Sequence, residues 1–201
     1  MKKYFFISTV LLLAFTVNAQ QNPKPAKWEK EYDYVDDCTC GLSKVGKNGK
    51  QGFVSKEGKL VVPLIYDEAF GFSEGKAAVK MGTKWGYIDS TGKELVKLQY
   101  SDASSFSEGL AKVGLNNMYG FIDDKGNVVI DLQFTSASHF SEGLAPVSNA
   151  KSKWGFVNKN GTVIIPFNYS YAQEFAEGIA HVMKDGKWFY IDKNSKITKE
   201  E

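Results

Sequence analysis

The chain repeats itself at a fixed step. A Ser-Glu-Gly triplet stands at Ser73-Glu74-Gly75, Ser107-Glu108-Gly109 and Ser141-Glu142-Gly143, with Ala176-Glu177-Gly178 as a further copy, so its Gly advances by 34, 34 and 35 residues. An aromatic-Gly pair keeps the same step at Trp85-Gly86, Tyr119-Gly120 and Trp154-Gly155, preceded by Gln51-Gly52 and followed by Trp188-Phe189. A period of this length means an array of small units, each burying its apolar face against a neighbour rather than in one irregular core. The extra residue of the third interval falls in Ser148-Asn149-Ala150-Lys151-Ser152-Lys153, which marks a surface loop.

Within one repeat the sequence reads as three short strands. The first alternates, with Ala111 and Val113 or Ala145 and Val147 on one face, while Ala78, Lys112, Pro146 and His181 share the other. So varied a position is expected to face solvent. The second strand runs from the aromatic-Gly pair to an acid or amide, Trp85 to Asp89 or Trp154 to Asn158, and is apolar on both faces. It is expected to be the most buried strand of the unit, with Gly52, Gly86, Gly120 and Gly155 kept because a neighbouring backbone or ring lies against them. Turns such as Ser90-Thr91-Gly92 and Asp124-Lys125-Gly126 then return the chain through a third strand. Tyr66, Tyr100, Phe134 and Tyr169, and six residues later Phe72, Phe106, Phe140 and Phe175, read as the packing between units. The fold class that follows is all-β: tandem units of about 34 residues forming an open, solenoid-like array. A closed β-propeller is the alternative, disfavoured because a blade usually has four strands.

Ahead of the repeats, residues 1–19 have the parts of a signal peptide: Lys2-Lys3, an apolar stretch from Tyr4 to Phe15, and Val17-Asn18-Ala19 before Gln20. The apolar run is shorter than the roughly 20 residues of a spanning helix, and no later stretch is long or apolar enough to cross a membrane. The expectation is export to the periplasm, the cell surface or the medium. Residues 20–40 read as a polar linker or N-terminal cap that ends in Cys38-Thr39-Cys40. In an exported chain this pair could form a strained, labile disulfide or remain as two thiols. Without Lys2 and Lys3 the chain carries 23 basic and 23 acidic groups, and none of its basic residues is Arg. A neutral chain without the guanidinium fork is not expected to bind nucleic acid.

Lys84-Trp85-Gly86-Tyr87-Ile88-Asp89 with Gly92, then Tyr100, then Phe106-Ser107-Glu108-Gly109-Leu110-Ala111, resemble the WG repeat family of bacterial proteins, also called KWG repeats. The resemblance covers roughly residues 41–201, about four and a half repeats. It implies a β-rich repeat protein, often exported or envelope-associated, with no general enzymatic role and with binding as the usual function. It brings no catalytic residues. The departures, Gln51 for Trp in the first unit and Phe189 for Gly in the last, lie at the ends, where a repeat lacks a neighbour.

Chemistry would need residues that break the pattern and converge. His139 and His181 fall at variable positions and read as surface histidines. Asp89, Asp123, Asn158 and Asp192 stand one per repeat beside a turn, too sparse for calcium and well placed to cap the hairpin. Glu74, Glu108, Glu142 and Glu177 form a row of solvated charge or a recognition stripe. Trp85, Tyr119, Trp154 and Trp188 either pack between units or form an exposed ladder for ligand stacking. No catalytic, cofactor or metal residue is expected. Two functions follow, an exported non-enzymatic module for a protein partner and a cell-wall or glycan-binding module using the aromatic ladder.

Overall fold

The computed structural model describes residues 26–200, so the expected signal peptide and the start of the linker lie outside the described residues. The chain makes five antiparallel sheets, each from four strands consecutive in sequence. Unit 1 holds β1 (Tyr34–Val35), β2 (Leu42–Lys47), β3 (Lys50–Ser55) and β4 (Leu60–Tyr66); unit 2 holds β5 (Glu68–Ala69), β6 (Lys76–Met81), β7 (Lys84–Asp89) and β8 (Glu94–Tyr100). Unit 3 holds β9 (Asp102–Ala103), β10 (Ala111–Leu115), β11 (Met118–Ile122) and β12 (Val128–Phe134). Unit 4 holds β13 (Ser136–Ala137), β14 (Leu144–Ser148), β15 (Trp154–Asn158) and β16 (Val163–Tyr169); unit 5 holds β17 (Tyr171–Ala172), β18 (Ile179–Lys184), β19 (Lys187–Asp192) and β20 (Ile197–Glu200). No strand of unit 1 pairs with a strand of unit 5 among the described residues, and the array is open.

Three sequence expectations need correction. Each unit has four strands, because a two-residue strand precedes the Ser-Glu-Gly turn, and two residues are too few to show alternation. The first unit also begins at Tyr34, inside the segment read as linker. Thirdly, the varied face of the first long strand does not face solvent: Ala78 and Pro146 are buried, and Lys112 and His181 half-buried. Sheets that stack on both sides leave little of an inner strand exposed.

The Ser-Glu-Gly triplet makes a two-residue hairpin turn. Ser73 and Lys76 exchange backbone hydrogen bonds of 2.9 and 3.0 Å, with Glu74 at φ 51° and Gly75 at φ 76°, the type I′ geometry that suits strand twist. The aromatic-Gly pair serves another purpose. Trp85 pairs with Tyr100 and Tyr87 with Val96, so β8 bulges between them. A Cβ on Gly86 would lie 2.5 Å from the Val96 carbonyl oxygen, and Gly52, Gly120 and Gly155 meet their own bulged strands at 2.5, 2.4 and 2.5 Å. The close backbone expected from the sequence is there. Unit 5 has Phe189 at this place, and β20 pairs without that bulge, Phe189 facing Glu200 and Tyr190 facing Lys199.

The core lies between units. One apolar cluster joins Phe53, Val62 and Tyr66 of unit 1 to Ala69, Phe72, Ala77, Val79 and Ile88 of unit 2, and equivalent clusters fill the next three joints. Each joint holds an equivalent aromatic pair, Phe53–Phe72, Tyr87–Phe106, Phe121–Phe140 and Phe156–Phe175, with ring centroids 4.7, 5.0, 4.8 and 5.0 Å apart, and the last joint adds Trp154–Tyr171 at 5.7 Å. The tyrosine of this row donates its hydroxyl to the Ser104 carbonyl at 2.8 Å, and burial pushes its phenol far above the usual range.

Candidate interaction surface

The Glu row turns out to be part of the joints. Gly109 donates its backbone N–H to Glu74 at 3.0 Å, Gly143 to Glu108 at 3.0 Å and Gly178 to Glu142 at 3.1 Å. Beside each carboxylate the triplet serine donates to the carbonyl of the next unit's phenylalanine: Ser73 to Phe106, Ser107 to Phe140 and Ser141 to Phe175, at 2.8, 2.7 and 2.6 Å. In the last two joints a lysine of the following unit joins the carboxylate, Lys159 with Glu108 and Lys193 with Glu142, both at 3.1 Å. The Gly178 N–H, and after it Lys193, hold the Glu142 carboxyl below the usual carboxylate range. These glutamates therefore staple one unit to the next.

The aromatic ladder also lies in the joints. Trp85 is 7% exposed within the cluster between units 2 and 3, and Tyr119 and Trp154 pack half-buried against the next two clusters. Trp188 stays half-buried in unit 5, where its ring stacks on His181 at 4.3 Å. The four residues beside the hairpin turn cap it. Asp89 accepts the Thr91 and Lys93 N–H groups at 2.9 and 3.0 Å, and Asp123, Asn158 and Asp192 repeat the pattern. The Thr91 hydroxyl, the leading contributor, lowers the Asp89 pKa, as the Asn127 amide does for Asp123. No group of three or more His, Cys, Asp or Glu that could hold a metal ion occurs among the described residues.

Cys38 and Cys40 are free, exposed thiols. They lie in the turn of unit 1: Cys40 has φ 51° and Gly41 follows at 84°, so Thr39-Cys40-Gly41 takes the place of Ser-Glu-Gly. The joint between units 1 and 2 consequently lacks the carboxylate, and the Cys40 Sγ sits 4.0 Å from the Phe72 carbonyl instead. Sequence reading missed this because the two cysteines hide the triplet.

Residues that differ from unit to unit gather at the short-strand edge. A cleft of about 630 Å³ there is lined by Phe70 of unit 2, Ser104, Ser105, Phe106 and Lys112 of unit 3 and His139 of unit 4. Residues of three consecutive units thus face one cleft. Phe70 is 39% exposed and stacks on Trp85 at 5.0 Å, giving the cleft an apolar wall on a rigid support. Charges along the short-strand edge are largely matched, within the cleft by one pair and beyond it by two. Lys112 pairs with Asp102 at 3.1 Å, Lys44 with Asp36 at 2.9 Å, and Lys80 with Glu68, each inside its own unit. His139 is half-exposed with its Nδ1 3.4 Å from the Glu174 carboxylate of unit 5, to which Ser138 also donates. Of these residues, the sequence had singled out His139 alone as a candidate. The usable signal was the variation among units at positions flanking the turn.

Four-stranded sheets stacked face to face, with several variable residues gathered at one cleft, define an open β-repeat array. A family model described as WG containing repeat matches residues 52–85, 85–119, 119–151 and 154–188, and the chain belongs to that family. No curated protein matches it. Among solved structures it is similar to the computationally designed Ika8 protein, with a TM-score of 0.55 at 11% identity over 84% of this chain and 61% of that one. It is also similar to Kluyveromyces lactis Hsv2, with 0.55 at 11% over 80% and 60%, and to BamB from Moraxella catarrhalis, with 0.51 at 12% over 84% and 60%. At such identity the likeness concerns the fold alone. The chain spans about 60% of the length of these structures.

Proposed function

We propose that this chain is an exported, non-enzymatic interaction module that grips a protein partner in the cleft of units 2–4. The observation that carries the reading is a division of labour. The shared positions chiefly fill the joints, while the differing positions Phe70, Ser104, Ser105, Lys112 and His139 meet at one cleft, with Phe70 exposed. A volume of about 630 Å³ is in the range of a site that takes one or two side chains of an extended segment. The matched ion pairs leave little net charge to draw a polyanion, which favours recognition by shape and hydrogen bonding. Export rests on the Lys2-Lys3, apolar and Val17-Asn18-Ala19 pattern, and leaves the periplasm, cell surface and medium as destinations.

A glycan-binding role would draw on the aromatic ladder, whose rings pack into the joints, so the cleft is the better supported surface. Crosslinking of tagged protein in intact cells tests the reading. Wild type should capture a discrete protein, and Phe70→Glu with Ser105→Arg should lose it at an unchanged melting temperature. Equal capture by the two proteins, or no protein captured by wild type, would count against it.

A further inference from the structure

The joint between units 2 and 3 leaves out what the other joints place beside the short strand. Between units 1 and 2, Lys44 pairs with Asp36 at 2.9 Å and donates to the Ala69 carbonyl at 3.1 Å, while the Gln51 side chain accepts the Ala69 N–H at 2.7 Å. Between units 3 and 4, Lys112 keeps the place of Lys44 and pairs with Asp102 at 3.1 Å. Between units 4 and 5, Ser138 donates to Glu174, which also meets His139. Between units 2 and 3 the same places hold Ala78 for Lys44, Phe70 for Asp36 and Trp85 for Gln51. An ion pair is replaced there by a methyl group and a ring.

The replacement leaves three groups of the cleft unused. Phe70 stacks one face on Trp85, with 21° between the ring planes, and at 39% exposure its other face is open to the cleft. Ala103, the equivalent of Ala69, sits opposite Val113, and the neighbouring Ser104 N–H donates to the Lys112 carbonyl at 3.0 Å. The Ala103 carbonyl is therefore turned away from β10, and the methyl group of Ala78 has no donor to offer it. The third group is the Ser105 hydroxyl, half-buried in the cleft wall and without a hydrogen bond among the described residues. The neighbouring hydroxyls are engaged: Ser104 donates to the Ser105 carbonyl at 3.0 Å and Ser107 to the Phe140 carbonyl at 2.7 Å.

We propose, on the reading that the cleft is the partner's site, that the segment gripped there presents a tyrosine side chain. Its ring stacks on the open face of Phe70. Its hydroxyl donates to the Ala103 carbonyl and accepts from Ser105, which one phenol can do at once. Other side chains match the cleft less well. Leucine or phenylalanine would cover the ring and leave the Ala103 carbonyl shielded from water without a donor, a loss of roughly tenfold in affinity. Tryptophan donates but accepts nothing from Ser105. Arginine would bring a charge beside Lys112, with Asp102 already engaged.

Peptides selected from a random phage-displayed library on the immobilised full-length chain are the probe, with binders that also hold the Phe70→Glu, Ser105→Arg protein discarded. Tyrosine should be enriched, and putting phenylalanine in its place should raise the Kd about tenfold. Ala78→Lys with Phe70→Asp rebuilds the ion pair of the first joint and should abolish binding at an undiminished melting temperature. Ser105→Ala keeps the ring and the fold whatever becomes of that double variant, and should weaken binding by roughly threefold. Binders that need no tyrosine, or tyrosine binders indifferent to Ser105→Ala, overturn the proposal and leave the cleft as the partner's site. A library that yields no binder dependent on Phe70 and Ser105 counts against both.

Discussion

The two ends of the array solve one problem differently. At the start, a 3-10 turn from Lys27 to Glu31 lays Trp28 over Gly58, where an added Cβ would come within 2.3 Å of the ring. In the interior the equivalent turns, Gly92, Gly126 and Gly161, lie against Val62, Val96 and Ile130 of the preceding unit at 3.3, 2.9 and 3.4 Å. Trp28 therefore takes the place against Gly58 that Val62, Val96 and Ile130 take against the interior turns, and Val45 and Val54 of the same unit are 0% exposed. Unit 5 differs in composition instead: Lys199 stands where Val62, Val96, Ile130 and Ile165 pack, and Ile179 and Glu177 are exposed. One terminal unit is thus covered by a ring from outside the repeats, and the other carries a lysine in an apolar row.

The largest expected effect comes from moving one truncation along the array. Phe121 is fully buried against Phe140, and Phe121→Ala should cost about 3 to 5 kcal/mol in urea unfolding. Its counterpart in unit 5, Tyr190, is half-buried and stacks on His181 at 4.5 Å, and Tyr190→Ala should cost about 1 kcal/mol, near the centre of the range for single substitutions. Equal losses would mean that the far end is as well packed as the middle. Next in size is Gly120→Val, which would set a branched side chain 2.4 Å from the Ile130 carbonyl. A loss of about 3 kcal/mol is expected, the upper part of the overpacking range. Little loss would show that the bulge of β12 can be given up, as β20 manages beside Phe189.

Much of this contrast was visible in the sequence, and the part that was not has a common cause. The bulge glycines, the hairpin caps at Asp89 and Asp123, and the rings between units all leave a short-range mark at a fixed step. Gln51 and Phe189 marked the terminal units as different. The staple of Glu108 to Gly143 joins residues 35 apart, and nothing local distinguishes a carboxylate that reaches the next turn from one in water. Trp28 was hidden for the same reason, since it belongs to no repeat and its partner Gly58 is remote. The two-residue strands were lost to their length, and Ala78 was misplaced because variety among units was equated with solvent.

Trp28→Ala tests the closed end directly. Removing a half-buried ring of this size should cost about 2 kcal/mol, and the loss should be local in an array whose units contact chiefly their neighbours. Amide exchange should quicken at Val45 and Val54 and stay unchanged in unit 5. Quickening throughout would show that the array unfolds as one cooperative block.

The smallest effects carry the sharpest contrast, because they should differ in sign. Glu108→Gly relieves a left-handed backbone but removes the staple to Gly143, so it should destabilise by about 1 kcal/mol, at the low end for a charge-assisted hydrogen bond because the carboxylate is partly exposed. Glu177→Gly relieves the same strain and breaks no such bond, so it should stabilise the isolated chain by about 0.5 kcal/mol. Acid gives an independent check on what a staple contributes. The folded Glu142 carboxyl titrates below its ordinary value, so its contribution is present above about pH 4.5 and is lost as pH falls through the lower, folded value. The melting-temperature gap between wild type and Glu142→Gln should accordingly close on acidification. If Glu108→Gly destabilises while Glu177→Gly stabilises, the difference isolates the hydrogen bond to the next unit's glycine as what offsets the left-handed backbone of this turn.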